Sequence, residues 1–386
     1  MPRRPADPHV SALGGCPGPE ATPEDRTRWA LARAMELGFH AAGVCVAVPS
    51  AEGDRLRAWL AAGKHGAMEW MRDHVDTRLD VRALHPGARS VLVVLLRYAT
   101  GAPDRIDQPV AGEPAHAPRG RVARYARGPD YHDLMKRRLG RLQRELERAN
   151  PGMTGRRTCD IEPAMERELA VRAGLGRIGK HTLLISPALG SWTLIATLIT
   201  TAELAPTGPG PEPEDPCQSC TRCIDACPTR AIDPWSVDAG RCISALTLED
   251  RGNLDPSLAS LMGDWIGGCD ICQEVCPHNQ PTRKSRAVGA HPSWVAGNGS
   301  FDLLAMLDWT DSQRRAAWRA GSLRRMSASM AARNAVWALH NAGPSWDGGL
   351  HRVMADGSAP GLARDAARDA LDMRQRTQGR TTRVFP

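Results

Sequence analysis

Apolar residues along this chain fall into short runs separated by polar, Gly- and Pro-rich punctuation, and the period within each run sets the element it predicts. Ala41–Val48 and Ser90–Tyr98 are apolar at nearly every position and rich in Val and Leu, so both read as buried strands. Thr22 and Pro23 supply an N-cap and a first helical residue, opening a helix that Gly38 closes. Asp54–Ala62 reads as a helix, and Asp130–Asn150 carries helical periodicity that stops at Pro151. Thr158–Asp160 ends a short strand, Pro163–Ala173 forms a helix, and strands follow around Thr182–Ser186 and Ser191–Thr200. This alternation predicts a mixed α/β (α+β) domain over residues 22–204. Residues 1–21 and 100–120 read as irregular, and 205–216, dense in Pro and Gly, as a linker. Beyond Ser300 the periodicity is helical, over 301–307, 311–320, 326–342, 346–355 and 360–374. That C-terminal region, 300–375, has the spacing of a short helical repeat.

Composition narrows the class. A chain of 386 residues predicts two or three domains. At 42% hydrophobic and 24% charged, it is an ordinary globular protein and not a disordered one. Its longest apolar runs, Ser90–Leu96 and Trp192–Ile199, are far short of the ~20 residues of a membrane span. The start, Met-Pro-Arg-Arg-Pro-Ala-Asp, is not a secretory signal, so a cytoplasmic protein without membrane contact is expected. The net charge of +7 is unevenly placed: Arg283–Pro386 alone carries +8 and the remainder −1. A basic face of this kind attracts a polyanion; solvated helix surfaces are the competing reading. Only four basic residues are lysine (Lys64, Lys136, Lys180, Lys284), a bias that a GC-rich genome explains.

Eight of the eleven cysteines lie between Cys217 and Cys276. Cys217, Cys220, Cys223 and Cys227 with Pro228 form C-x2-C-x2-C-x3-C-P, the run of bacterial 4Fe-4S ferredoxins. Cys269, Cys272 and Cys276 with Pro277 repeat its ending, and Cys242 stands between. Because the fourth cysteine of such a run ligates the other cluster, the expected sets are Cys217, Cys220, Cys223, Cys276 and Cys227, Cys242, Cys269, Cys272. Zinc also takes C-x2-C pairs, but the continuous run ending in Pro favours two 4Fe-4S clusters in a ferredoxin-like domain over 215–282. Cys16, Cys45 and Cys159 share no ligand spacing, and Cys45 reads as a buried small hydrophobe.

Candidates for acid chemistry are Asp160, Glu162, Glu166 and His181, all near strand ends; Asp160 as a helix N-cap is the competing reading. Gly174, Gly176 and Gly179 followed by Lys180 spell a dinucleotide fingerprint, but a helix precedes and a strand follows, the reverse of what that fingerprint requires.

Asp160–Arg167, Ala173–Thr182, Gly190–Trp192, Ala123–His132, Arg241–Ser244 and the two cysteine groups in this order together resemble the epoxyqueuosine reductase family, from about residue 24 to 342. Leu37–Phe39 and Gly87–Val91 fit as well. The resemblance implies an oxidoreductase related to the corrinoid reductive dehalogenases, with cobalamin and two 4Fe-4S clusters. It implies reduction of epoxyqueuosine to queuosine at wobble position 34 of tRNAs with a GUN anticodon, for Tyr, His, Asn and Asp. An external electron donor and a monomeric enzyme are expected. The family's proton donor falls on Asp160, which then requires a raised pKa, and burial against the corrin would supply it. Arg78, Ala123, Leu184, Ile195 and Ser244 fall near cobalamin in the same comparison, and no strong lower protein ligand to cobalt is implied. Two departures stand out: Ile161-Glu162 where family members often carry Ser-Ala, and Ala245 where an aromatic often stands. The basic C-terminal quarter, with Arg314, Arg315, Arg324, Arg325 and Arg333, is the expected tRNA surface. A small-molecule corrinoid reductase and a ferredoxin-like electron carrier are the alternative functions.

Overall fold

The strand Ser90–Arg97 is buried at every position, which explains the unbroken apolar run Val91–Leu96 within it. In the computed structural model, which describes residues 14–100, 117–208, 215–280, 288–295 and 299–381, this strand is central to its sheet. In chain order the strands are β1 (Ala41–Val46), β2 (Ser90–Arg97), β3 (Arg119–Val122), β4 (Gly155–Thr158), β5 (Arg177–Ile178), β6 (Leu184–Ile185), β7 (Thr193–Thr200), β8 (Ile232–Asp233), β9 (Ser236–Val237), β10 (Trp265–Gly267) and β11 (Ser300–Asp302). The main sheet runs β1-β2-β7-β4 and is antiparallel throughout, so the first unit is α+β.

Alternation along β2 separates two cores. Leu92, Val94 and Leu96 face the helices Pro23–Glu36 and Tyr131–Ala149, packing with Trp29, Met135, Leu139 and Leu142. Val91, Val93 and Leu95 face the helix Glu166–Arg172 and β6 through Leu169, Ala170 and Leu184. Thr22 caps the first helix by accepting from the Asp25 amide at 3.1 Å, and Gly38, at φ +86°, turns the chain out of it. Cys45 is buried in β1, as expected. The helix expected from Pro163 starts at Glu166, and Thr182 lies outside β6 with φ +66°.

The expected loop at 100–120 lies outside the described residues over 101–116, and the linker at 205–216 over 209–214. The residues that follow the first of these do not return to the main sheet. β3 pairs with β10 on one side and β11 on the other, stitching three stretches of chain into one small sheet. A Cβ on Gly120 would come within 2.6 Å of Ile266 and 2.7 Å of Leu303 side chains, so only glycine admits this approach. Val122, Ala123 and Ala126 therefore share a core with Trp265, Ile266 and Trp337 of the later regions. The helix expected at 301–307 divides for the same reason: Ser300–Asp302 pairs with β3, and Asp302 caps the helix Leu303–Leu307 at the Ala305 amide.

Every residue from Met330 to His340 of the helix Ala328–Asn341 is buried, because Leu303–Leu307, Asp347–Ala355, Gly361–Thr381 and β10 surround it. Arg333 is fully buried within it and donates to the carbonyls of Leu246 (3.0 Å), Asp250 (2.9 Å) and Gly252 and to the Asn334 side chain. Asn334 in turn donates to the Thr247 and Ile266 carbonyls. Together they hold the cysteine-bearing region against the helical one. Truncating Arg333 leaves several buried carbonyls without donors, each costing about 1–3 kcal/mol. Arg333→Met should therefore lower stability in urea unfolding by roughly 3 kcal/mol or more; a loss within ~0.5 kcal/mol of zero, the scatter of surface substitutions, would show that the contacts do not hold the regions together.

Candidate active site and cluster-binding region

Asp160 follows β4 with φ +65°, a backbone conformation that Asp tolerates better than most residues and that marks functional turns. The helix Tyr131–Ala149 supplies its two side-chain partners. Tyr131 donates its hydroxyl to Asp160 Oδ2 at 2.5 Å, and His132 Nε2 lies 3.4 Å from the same oxygen. Behind them, Asp130 caps the helix by accepting from the His132 amide (3.1 Å) and also bonds His132 Nδ1 at 2.6 Å. Arg324 of the C-terminal region closes the chain on Asp130 Oδ2 at 3.0 Å. The order is Arg324–Asp130–His132–Asp160–Tyr131. The Asp160 side chain is 55% exposed, so it opens to solvent on one side while these groups close the other.

In the chain by itself the Asp160 pKa lies below the usual carboxylate value. Crowding by protein opposes its charge, but hydrogen bonds from His132 and Tyr131, with the charges of His132 and Arg325, hold its pKa down at about 2. Burial opposes the charge on His132, yet Asp160 and Asp130 raise its pKa above the usual histidine value. Burial also raises the Tyr131 hydroxyl, and Asp160 adds to it, so Tyr131 remains a donor.

The other acid candidates take distinct roles. Glu166 accepts from Thr158 Oγ1 (2.8 Å) and from the Asp160 amide (3.0 and 3.1 Å), bracing the turn. Burial, and then the Asp160 charge, push its pKa up to about 8. Glu162 neither faces solvent nor reaches the Asp160 carboxyl; it pairs with Lys136 and accepts from the Cys159 amide at 3.0 Å, tying the turn to the long helix. His181 is buried, and burial pushes its pKa down to about 4, with His278 and Arg167 adding to it, so it is neutral near pH 7 and no acid.

Of the residues expected near cobalamin, Arg78 and Ile195 adjoin Asp160. Arg78 is buried over Trp70 at 5.6 Å, feels the charges of Glu166 and Asp160, and among the described residues its Nε has no hydrogen-bond partner. The Ile195 carbonyl accepts from Cys159 Sγ at 3.5 Å. Ala123 and Ser244 lie instead on the cysteine side: a Cβ on Gly268 would come within 2.6 Å of the Ala123 Cβ, and the Ser244 amide bonds Cys242. Leu184 is buried in the β5–β6 hairpin. In that hairpin Gly176 and Gly179 press within 2.4 and 2.6 Å of Ile185 atoms, measured from an added Cβ, so the glycine run serves close chain packing.

The eight cysteines lie in one region: Cys223 feels Cys217, Cys276 and Cys220, Cys269 feels Cys242 and Cys227, and Cys272 feels Cys269, Cys242 and also Cys223. Among the described residues no three His, Cys, Asp or Glu side chains converge on one ion; four thiolates around a cube of iron and sulfur stand further apart than that. Polar contacts dock this region on the first unit. Gln273 bonds Tyr98 and Ser191, and Asn279 accepts from the Ser191 amide at 2.7 Å and donates to its hydroxyl at 2.8 Å. Asp270, between Cys269 and Cys272, accepts from the Arg124 amide at 2.7 Å.

The arginines expected to form an RNA surface are occupied within the chain. Arg314 and Arg333 are buried on carbonyls, Arg315 pairs with Asp311, Arg324 with Asp130, and Arg325 with Glu249. Arg324 and Arg325 keep half-exposed side chains at the edge of the Asp160 site. Asp130, Tyr131 and His132 lie at the end of the Ala123–His132 stretch, but their contacts around Asp160 were not singled out from the sequence. Scarcity offered a signal. The chain has three tyrosines, and Tyr98, Tyr125 and Tyr131 form one edge-to-face series, at 6.5 and 6.0 Å, from Gln273 to Asp160.

Comparison with known proteins gives two family matches. Residues 78–160 match the family described as epoxyqueuosine reductase QueG, DUF1730, and residues 216–279 match a 4Fe-4S double cluster binding domain. The chain is 40% identical over 310 residues to an epoxyqueuosine reductase of a Synechococcus species, covering 78% of this chain and 90% of the relative. It is 38% identical over 322 residues to that of Gloeobacter violaceus, covering 81% and 95%. A crystal structure of epoxyqueuosine reductase with an epoxyqueuosine-modified tRNA-Tyr stem loop superposes with a TM-score of 0.76 at 27% identity, over 88% of each chain. A Bacillus subtilis epoxyqueuosine reductase with its catalytic aspartate loop swung out of the active site gives 0.77, also at 27% identity and 88% of each chain.

The raised pKa of Glu166 has a consequence for stability. The folded protein binds this proton more tightly than the unfolded chain, whose carboxyl titrates near 4.5, so stability falls as pH rises from about 4.5 through about 8. Glu166→Gln cannot ionise and should lose that slope. Urea unfolding of both proteins at pH 5 to 9 measures it, and parallel profiles would mean that Glu166 is ionised throughout.

Proposed function

The chain belongs to the epoxyqueuosine reductase family, and we propose from that membership and the site that it reduces epoxyqueuosine to queuosine at wobble position 34 of tRNA. It is an oxidoreductase with a double 4Fe-4S domain. Its substrates are tRNAs with GUN anticodons, for Tyr, His, Asn and Asp, and a solved relative in complex with a modified tRNA-Tyr stem loop supports that class. Converting an epoxide to an alkene takes two electrons and two protons and releases the oxygen as water. Cys217, Cys220, Cys223 and Cys276 hold one cluster, and Cys227, Cys242, Cys269 and Cys272 the other, passing electrons singly from an external donor. Among the described residues no helix is long and apolar enough to cross a membrane, and we place the enzyme in the cytoplasm as a monomer.

The open side of Asp160 fits a broad, largely apolar cofactor such as cobalamin. Ile161 is 68% exposed and Trp70 46%, and the buried Arg78 over Trp70 has an Nε without a hydrogen-bond partner among the described residues. Arg78, Ala123, Asp160, Leu184, Ile195 and Ser244 would hold cobalamin, which when bound supplies a strongly reducing cobalt centre for carbon–oxygen cleavage. The protein's part is the proton. His132 holds it on Nε2, within reach of Asp160 Oδ2, and its own Nδ1 is fixed by Asp130. Asp160 passes it to the departing oxygen, and Tyr131 keeps the carboxylate oriented by its hydroxyl. Arg324 and Arg325 stand at the site's edge with half-exposed guanidinium groups that suit anticodon-loop phosphates.

The observation that carries the reading is the Tyr131–Asp160–His132 constellation in a chain of this family. Protein loaded anaerobically with iron, sulfide and cobalamin, then given a strong reductant and epoxyqueuosine-containing tRNA, should yield queuosine, seen by mass spectrometry of digested nucleosides as loss of one oxygen. Asp160→Asn should abolish turnover, and His132→Gln should lower it by roughly 10²–10⁴-fold, the worth of a positioned acid. Both variants should keep the wild-type cluster and cobalamin spectra. Full turnover in either would remove that residue from the proton path.

A further inference from the structure

The turn between β5 and β6 carries a cation that the reaction as described leaves unused. Lys180 is 7% exposed. Its ammonium donates to the carbonyls of Gln218 (2.6 Å) and Cys220 (3.1 Å) and lies 5.5 Å from the centre of the Trp235 ring. Its backbone N–H donates to Cys217 Sγ at 3.3 Å. All of these partners belong to the cysteine region, although Lys180 belongs to the first unit. Among the described residues Lys180 forms no ion pair with a carboxylate. Burying an ammonium on carbonyl dipoles and a ring alone is costly. A thiolate-bound cluster beside it supplies the missing anion.

We propose that Lys180 raises the reduction potential of the cluster held through Cys217 above that of the cluster held through Cys227. This rests on the ligand sets proposed above. Taking up one electron adds one negative charge to a cluster and brings no proton with it. A fixed buried cation favours the reduced form, and an N–H···S bond to a ligand sulfur acts in the same direction. The second group has different surroundings: the Ala231 amide donates to Cys227 Sγ at 3.3 Å, and the carboxyl of Asp270 is buried between Cys269 and Cys272. That second group is also the one on the Asp160 side, since Tyr125 packs on Tyr131 and feels both Asp160 and Asp270. Lys180 thus makes the outer cluster the better electron acceptor, where an electron from the donor waits before moving inward.

The test is a redox titration of the reconstituted enzyme with dithionite and mediators, followed by low-temperature electron paramagnetic resonance. Lys180→Met should lower the midpoint potential of one cluster and leave the other unchanged, with both clusters present by iron count. Lys180→Arg, which keeps the charge, should stay near the wild-type value. If Lys180→Met does not assemble both clusters, Lys180→Gln, which keeps a donor to the carbonyls without the charge, decides the matter by the same midpoint. Cys217→Ser should alter the signal that the lysine variants shift. Unchanged midpoints in Lys180→Met or Lys180→Gln, with Cys217→Ser altering one signal, would overturn the tuning role. Two unaltered signals in Cys217→Ser would overturn the ligand sets instead.

Discussion

A histidine held between two aspartates is the interaction on which the geometry of this site depends. Asp130 is at once the N-cap of the helix Tyr131–Ala149, the acceptor for His132 Nδ1 and the anchor for Arg324. Its own amide donates to the Ala320 carbonyl. Three parts of the chain meet there: the long helix of the first unit, the turn that presents Asp160, and the C-terminal region. With Asp160 in a left-handed conformation and its amide bound to Glu166, the carboxylate is placed by backbone and side chains together. Its low pKa follows from that placement, because the same contacts that orient it favour its charge. A delivery group can be ionised at rest if its neighbour holds the proton, and Asp160 and Asp130 shift the His132 pKa in that direction.

The second requirement is that the cysteine region be held in fixed relation to this junction. Gln273 and Asn279 lie beside cluster cysteines and bond Tyr98 and Ser191, which flank the main sheet. Such a buried, mutually satisfied network fixes orientation more than it adds stability. Tyr98, Tyr125 and Tyr131 then run from it to Asp160. The small sheet β10-β3-β11 and the buried pair Arg333–Asn334 fasten the same region to the C-terminal helices. Cluster region and acid site are thus parts of one polar framework.

Local pattern made much of this legible. The spacing of the eight cysteines and the solid apolar run Val91–Leu96 each report a constraint that acts within a few residues, and so does the Thr22 cap. Features set by distant partners were not legible. β3 is four residues with alternating burial, and nothing in them names β10 or β11 as neighbours. Arg314 and Arg333 look like surface charge in the sequence, yet carbonyls from other segments bury them. The hydrogen bonds that lower the Asp160 pKa in the chain by itself come from Tyr131 and His132, about thirty positions earlier in the sequence, and no local pattern announces them. Glu162, a departure from the family's usual residues, was ambiguous until Lys136 appeared opposite it.

The central claim is that His132, and not Asp160, carries the proton at rest. Nitrogen-15 resonances of histidine-labelled protein with oxidised clusters, followed from pH 5 to 9, report it directly, with His132 identified by the signal missing in His132→Gln. An imidazolium that persists at pH 7 and titrates above the usual 6.5 is the result this account predicts. A neutral His132 at pH 7, titrating at or below 6.5, would contradict it.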